Sequence, residues 1–177
     1  MAKIKEPQKV LPFVGLIFVE DFFINELIYH LEKQLGPVAI KSSVIPFTHT
    51  TYYNIEMIGK LFRQWITFEE LTMPDELIDL KHWTNSLEEK TLNENGGRMV
   101  NIDPGIITLS NLILASTKNY SHRIYLGKGI YAEVTLIYKD HQFRPLEWTY
   151  PDYRETIALE FFNEARKVLK ENLSPEM

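Results

Sequence analysis

Between Arg98 and Lys128 four cations (Arg98, Lys118, Arg123 and Lys128) stand against one acid, Asp103. The whole chain carries a net charge of −5, so this segment's +3 is set against −8 elsewhere. A basic stretch in an acidic protein is a candidate anion site. His122 adds charge below neutral pH. Gly127 and Gly129 allow backbone amides to approach an anion closely. This pattern predicts that Asn101, Asp103, Lys118, His122, Arg123 and Lys128 contribute to one ligand site, with His122, Arg123, Lys128 and Asp103 near the Gly127–Gly129 loop. The competing reading is a solvated face of alternating strand residues. Asn101 and Asp103 alternate on one side of a strand, and a carboxylate at a strand end can act as a base. Asp103-Pro104-Gly105 also reads as a turn in which Asp103 bonds its own backbone. Glu133 alternates with Tyr131 and Thr135, and it can pair with Arg123 across a hairpin. His122, Asp103 and Glu133 are therefore the catalytic candidates.

Other residues carry weaker signals. Trp148-Thr-Tyr-Pro-Asp-Tyr-Arg154 packs three aromatics, an acid and a cation into seven residues. That density can stack a base or sugar. It reads first as an entry staple for a helix, with Asp152 as cap and Trp148 in the core. His49-Thr50-Thr51 and His82-Trp83-Thr84 share the His-x-Thr pattern of two-histidine phosphoester chemistry, but His82 falls within a patterned helix. Asp75, Asp79 and His82 share a helix face. Acids in a first helical turn are already explained by the helix dipole. No Gly-x-Ser-x-Gly, His-Glu-x-x-His or EF-hand pattern occurs. A P-loop is also missing. Gly127-Lys128 is followed by Gly129, and the residue five before Gly127 is His122 rather than glycine. No Asn-Lys-x-Asp guanine motif is present.

The elements that must position these residues are legible from periodicity. Phe13–Val19 is a continuous apolar run and reads as a central strand. Ile24, Ile28, Leu31 and Leu35 mark one face of a helix, capped by Asp21 and ended by Gly36-Pro37. Val38–Phe47 and Leu61–Leu71 read as strands, and Thr48–Lys60 as a loop or short helix. Thr72-Met73-Pro74-Asp75 starts a second helix, carried by Leu77, Leu80, Thr84, Leu87 and Thr91. Asn95-Gly96-Gly97 stops it. Arg98–Ile102 is a fourth strand. Thr108–Thr117 is read as a short buried helix, from Leu109, Leu112, Ile113 and Ser116. His122–Leu126 and Ile130–Tyr138 form a hairpin around Gly127-Lys128-Gly129. Gln142–Trp148 can pair with its second strand. A last helix carries Ile157, Phe161, Ala165 and Val168 on its face. Long helices are thus predicted near 21–35, 74–94 and 153–170. Strands and helices do not alternate one for one. The fold class is α+β, a mostly antiparallel sheet whose first half has the ferredoxin-like order.

Composition bounds the rest. The chain has 177 residues, a length that suits one domain over 1–177, in which a basic leader (1–10) and a tail (172–177) are expected to be flexible. It is 45% hydrophobic and 24% charged, as a globular protein is. With no cysteine it has no disulfide, thiolate zinc site, iron–sulfur cluster or cysteine nucleophile. The acidic balance argues against wholesale nucleic-acid binding. Lys3, Lys5 and Lys9 before Leu11–Val19 imitate a secretory signal. Pro7 and Pro12 interrupt it, Glu20-Asp21 follow it, and no small-x-small site appears. The apolar run is far short of a membrane span. A cytoplasmic location is the expectation, without membrane attachment.

Several strings carry a resemblance: Val100-Asn-Ile-Asp-Pro-Gly-Ile-Ile-Thr-Leu-Ser110, Leu114-Ala-Ser-Thr-Lys118, His122-Arg-Ile-Tyr-Leu-Gly-Lys-Gly-Ile-Tyr-Ala-Glu-Val-Thr-Leu136 and Trp148-Thr-Tyr-Pro-Asp-Tyr-Arg154. Phe13-Val-Gly-Leu-Ile-Phe18 and Tyr52-Tyr53 before Glu56-Met57 fit as well. Together they resemble the domain-of-unknown-function family 4416, small bacterial and archaeal proteins, over nearly the whole chain. Some members carry the label "GTP-binding protein" or "GTP-binding regulator". That label, with the basic segment and the glycine loop, makes a binding or regulatory protein for a phosphorylated small molecule or nucleotide the first expectation, by a geometry other than a P-loop. An enzyme acting on phosphoesters with His122 and Asp103 or Glu133 is the second expectation. A structural or interaction protein without a small ligand is the third. The sequence names no cofactor and no oligomeric state.

Overall fold

The structure is a computed structural model that describes residues 3–49 and 56–174. Tyr52-Tyr53 and part of the Thr48–Lys60 segment lie outside the described residues. The described strands form one antiparallel sheet of nine. They are β1 (Leu11–Val19), β2 (Val38–Lys41), β3 (Ile45–Pro46), β4 (Leu61–Phe68), β5 (Val100–Ile107), β6 (Asn111–Ser116), β7 (Arg123–Gly127), β8 (Ile130–Lys139) and β9 (Gln142–Pro145). The spatial order is β2-β4-β1-β5-β6-β8-β7, with β3 on β4 and β9 on β8. Its first four strands, with the helices α1 (Ile24–Leu35) and α2 (Leu77–Glu88) between them, have the ferredoxin-like arrangement. The α+β class with a mostly antiparallel sheet is therefore as the periodicities predict.

Register assigns each strand residue to a face. Val14, Leu16 and Phe18 of β1 lie beside Ile66, Gln64 and Phe62 of β4 and Pro104, Ile102 and Val100 of β5. Leu27 and Leu31 of α1 and Trp83 and Leu87 of α2 cover this face. The other face carries Phe13, Trp65 and Ile107 under Phe161, Phe162, Ala165 and Leu169 of α3 (Thr156–Leu173). Residues Phe161, Phe162, Ala165 and Leu169 recur at helical spacing, so the helix offers one apolar stripe. Tyr153, in a 3-10 turn at Pro151–Arg154, stacks on Phe162 at 5.6 Å and meets Trp65 edge-on at 5.7 Å. Burying each such ring contributes about 1.5–3 kcal/mol.

Several expected boundaries shift. α1 is preceded by Phe23 at its N-cap rather than Asp21, with no side-chain cap bond, while Gly36 ends it at φ 81°, a backbone conformation that suits glycine. Pro74–Glu76 forms a 3-10 turn and α2 stops at Glu88, short of the expected residue 94. Asn172 and Leu173, assigned to the tail by sequence, are the end of α3. Trp148 is 39% exposed and stacks on His122 rather than filling the core. Asp152 makes no cap for α3, whose N-cap is Glu155.

Two corrections matter for the site. Thr108–Thr117 is not a helix: Asn111–Ser116 is β6, paired with both β5 and β8. Leu112 and Leu114 face one side and Ile113 and Ala115 the other. With apolar residues on both sides a strand loses its alternation and imitates a buried helix. Asp103-Pro104-Gly105 is not a turn either. β5 runs straight through it, paired with Gly15, Val14 and Phe13 of β1. Proline is tolerated because of what β5 meets on its other edge. β6 pairs only with Gly105–Ile107. Ile102 directs its N–H and C=O away from β1, toward side chains of α2. Pro104 has the same parity, so the N–H it lacks falls where the β5–β6 ladder ends. Below that point the sheet splits.

Candidate binding cleft

The split leaves the backbone of Ile102 without a neighbouring strand on its β6 side. Two buried side chains of α2 replace it. Glu88 Oε1 accepts the Ile102 N–H at 2.6 Å, and Lys81 Nζ donates to its carbonyl at 3.2 Å. Buried backbone groups must find partners, so the gap selects one acceptor and one donor from the helix. Leu77, Lys81, Thr84 and Glu88 are buried at helical spacing, which puts both charges on the stripe that faces the sheet.

On the α3 face of the sheet the split opens into a cavity of about 670 Å³. That is the size of a small-molecule site. Its walls come from β4 (Arg63), β5 (Asn101, Asp103), the β6–β7 connection (Thr117, Lys118, Tyr120), the β7–β8 pair (Arg123, Glu133) and the turn before α3 (Tyr150–Tyr153). α2 adds Lys81, Asn85 and Glu88 through the gap.

At one wall Arg123 and Glu133 are directly opposed in the β7–β8 register, as cross-strand pairing predicts, and both are buried. Arg123 Nε donates to Glu133 Oε2 at 2.8 Å. Its Nη1 donates to Ser116 Oγ and the Lys118 carbonyl, and its Nη2 to the Tyr150 hydroxyl. His122 Nε2 approaches the same Glu133 oxygen at 3.0 Å. At the other wall Arg98 holds Glu56 through Nε and Nη2 at 2.6 and 2.8 Å, and Glu88 through Nη1 at 2.6 Å. The Arg98 bond keeps the Glu56 carboxyl below its ordinary value, whereas burial pushes Glu88 up.

The floor is built differently. Asp103 Oδ2 accepts from Asn101 Nδ2 at 2.8 Å, as their shared strand side predicts. Lys81 Nζ stands 3.9 Å from Asp103 Oδ1, and Arg63 Nη1 stands 4.0 Å from Oδ2. Arg63 Nε lies 3.0 Å from Asp152. The guanidinium folds across Gly15. A Cβ at that position would meet the Tyr153 hydroxyl at 2.7 Å and Arg63 Nη2 at 2.9 Å, so the strand needs glycine there. The Tyr153 hydroxyl and the Trp65 indole N–H are buried without a hydrogen-bond partner among the described residues. Burial holds the Tyr153 phenol well above its ordinary value, hence protonated.

Of the residues singled out by sequence, Arg98, Asn101, Asp103, Lys118, Arg123 and Glu133 line the cavity, as do His49 and, from the Trp148–Arg154 string, Tyr150, Asp152 and Tyr153. His122 does not. It lies behind Glu133, stacked on Trp148 at 5.1 Å. Lys128 and the glycine loop are elsewhere: Lys128 Nζ bonds Asp79 of α2 at 2.8 Å, and its carbonyl meets His82 Nε2 at 3.0 Å. The five residues of β7 separate His122 from Lys128, six steps or about 20 Å at roughly 3.3 Å per residue. The +3 of the segment does not survive folding. Glu56 and Glu88 answer Arg98, Glu133 answers Arg123 and Asp79 answers Lys128. The lining contains five Lys or Arg and five Asp or Glu. His82 and Asp79 are the partners of Lys128, and no group of three metal-ligating side chains occurs among the described residues. His49 bonds Glu155, while Thr50 and Thr51 lie outside the described residues.

Sequence reasoning missed Arg63, Lys81 and Glu88, and it held Tyr153 only as one aromatic of the Trp148–Arg154 string. The first three did leave a signal: a charge at an inward strand position and two charges on a helix's apolar stripe.

The chain belongs to the family described as Domain of unknown function (DUF4416), whose profile matches residues 8–168. No curated protein and no solved structure matches it. Among the described residues no helix is long and apolar enough to cross a membrane.

Proposed function

We propose that this family member binds a small phosphorylated molecule in the cleft between β5 and β6. The observation that carries the reading is the cavity of about 670 Å³ at the split of the sheet, with cations of β4, α2 and the β6–β7 connection around it. Lys118 stands at its exposed rim, and Arg63 and Lys81 stand at its floor. Two or three charged hydrogen bonds at about 1.5–3 kcal/mol each support millimolar to micromolar affinity once association costs are offset. A nucleotide fits this class, and a regulatory role follows if binding alters contacts of the chain with a partner. The phosphoester enzyme based on His122 is not favoured. Of its two carboxylates, Glu133 is engaged by Arg123, and Asp103 lines the cavity that His122 does not line.

Calorimetric titration with inorganic phosphate, sugar phosphates and nucleotides at low and high salt tests the reading. Binding is expected for at least one phosphorylated probe, weaker at high salt and about tenfold weaker in Lys118→Ala. Heats indistinguishable from dilution across the panel would refute it.

A further inference from the structure

We propose that the floor of the cleft reads a hydroxyl group, so that the bound molecule is a polyhydroxylated phosphate, such as a sugar phosphate or polyol phosphate, with the hydroxyl between Asp103 and Lys81. The inference rests on the binding reading above and specifies its ligand.

Lys81 Nζ and Asp103 Oδ1 are 3.9 Å apart, too far for a hydrogen bond to each other. An oxygen placed off the line between them reaches both at about 2.8 Å, because two such contacts span any gap up to about 5.6 Å. Each side has capacity to spare. Lys81 is 7% exposed and carries three N–H donors, of which the Ile102 carbonyl takes one. Asp103 Oδ2 takes one bond from Asn101, and Oδ1 has Lys81 only at the longer distance. The group that satisfies both must donate to a carboxylate and accept from an ammonium at once. A hydroxyl does this. An ionised phosphate or carboxylate oxygen only accepts, and the charge it carries is repelled by Asp103 and Asp152. The Tyr153 hydroxyl is the independent sign of a ligand. It is 1% exposed and lines the same cavity, and its O–H meets no acceptor among the described residues, since the Trp65 indole beside it only donates. Kept protonated by burial, it offers a further donor to an oxygen of the same molecule. The balanced charge of the lining suits this chemistry, with donors and acceptors interleaved rather than cations gathered. The phosphate then lies outward, toward Lys118.

The test is calorimetric titration of the full chain, wild type and Asp103→Ala, with inorganic phosphate, glycerol 3-phosphate, ribose 5-phosphate and glucose 6-phosphate. The best binder is then compared with its monodeoxy analogue at each hydroxylated carbon. Wild type is expected to prefer the hydroxylated compound to inorganic phosphate, and to one monodeoxy analogue, by at least tenfold. In Asp103→Ala that preference should shrink to within about threefold, with the melting curve still cooperative. Asp103→Asn, which keeps an acceptor, should retain part of it and serves if the alanine variant does not fold. If all monodeoxy analogues bind as well as the parent, or if discrimination survives both substitutions, the floor does not read a hydroxyl. Binding of inorganic phosphate without any of the three hydroxylated phosphates also overturns the inference and leaves the binding reading standing. Binding of no phosphorylated probe at all overturns both.

Discussion

Arg123 and Lys81 are both buried cations of one cavity, and they are held in opposite ways. Arg123 spends its donors on Glu133, Ser116, Lys118 and Tyr150. Lys81 makes one hydrogen bond, and its nearest carboxylate oxygen on Asp103 is 3.9 Å away. Arg98 resembles Arg123, with Glu56, Glu88 and Asn101 filling its fork. The walls of the cleft are therefore closed networks, and the floor is an open one. What distinguishes a wall from a site is unused hydrogen-bonding capacity, not charge count. A saturated network fixes shape, because any change leaves a partner stranded in low dielectric.

The sharpest way to break this contrast is to cut a wall. Arg123→Met keeps much of the side-chain volume but leaves Glu133, 1% exposed, without its guanidinium. Removing one partner of a buried pair costs about 3–5 kcal/mol. Urea denaturation should register a loss of that size. A loss under about 1 kcal/mol would mean that the wall is as loosely held as the floor.

Gly15→Ala disturbs the floor from below. Its new methyl group meets the Tyr153 hydroxyl and Arg63 Nη2 inside normal contact distance. Overpacking of this kind costs about 1–3 kcal/mol. Thermal unfolding is the measurement, and an unchanged melting temperature would show that the floor can give way. Tyr153→Phe is the finer probe. Because the hydroxyl has no partner among the described residues, deleting it should be neutral or stabilising, within about 1 kcal/mol. A loss of 2 kcal/mol or more in urea denaturation would reveal a bond that the geometry does not contain. The ring itself, stacked on Phe162, is kept.

The same contrast explains what could be read from sequence. Asn101 and Asp103 were legible as neighbours because alternation survives in any strand, even when the Pro-Gly after them imitates a turn. Arg123 and Glu133 were legible because a glycine loop fixes hairpin register. Lys128 misled for the same reason. It is near in sequence, yet a whole strand separates it from His122. Lys81 and Glu88 answer a backbone gap between β5 and β6, and nothing local announces where two strands will part. Only their place on the stripe with Leu77 and Thr84 marked them, and the leucines of α2 drew attention to a neighbouring face. β6 was hidden by its own burial, since both of its sides are apolar. Local order came through, and the splitting of the sheet did not.

The smallest effect concerns acid, and it separates two carboxylates on one guanidinium. Arg98 bonding holds Glu56 below its ordinary value, while burial pushes Glu88 above its own despite Lys81, the Ile102 N–H and Arg98. The signs are opposite. A depressed carboxylate contributes stability that is present above its unfolded value and lost as pH falls through the folded one. Glu56 therefore stabilises the fold at neutral pH and releases that stability on acidification, below the ordinary glutamate range. A raised carboxylate contributes stability that is complete below its unfolded value and lost as pH rises through the folded one. Glu88 thus favours the fold more on the acid side of the glutamate range than on the neutral side. Glu56 has a side chain 38% exposed, so solvent screening limits its share to at most about 1 kcal/mol. Melting temperature followed against pH should fall less steeply below the glutamate range in Glu56→Gln than in wild type. It should fall less as pH rises through that range in Glu88→Gln. Parallel curves for all three proteins would mean that neither carboxylate is coupled to folding, and that this wall, unlike Arg123, is held by shape alone.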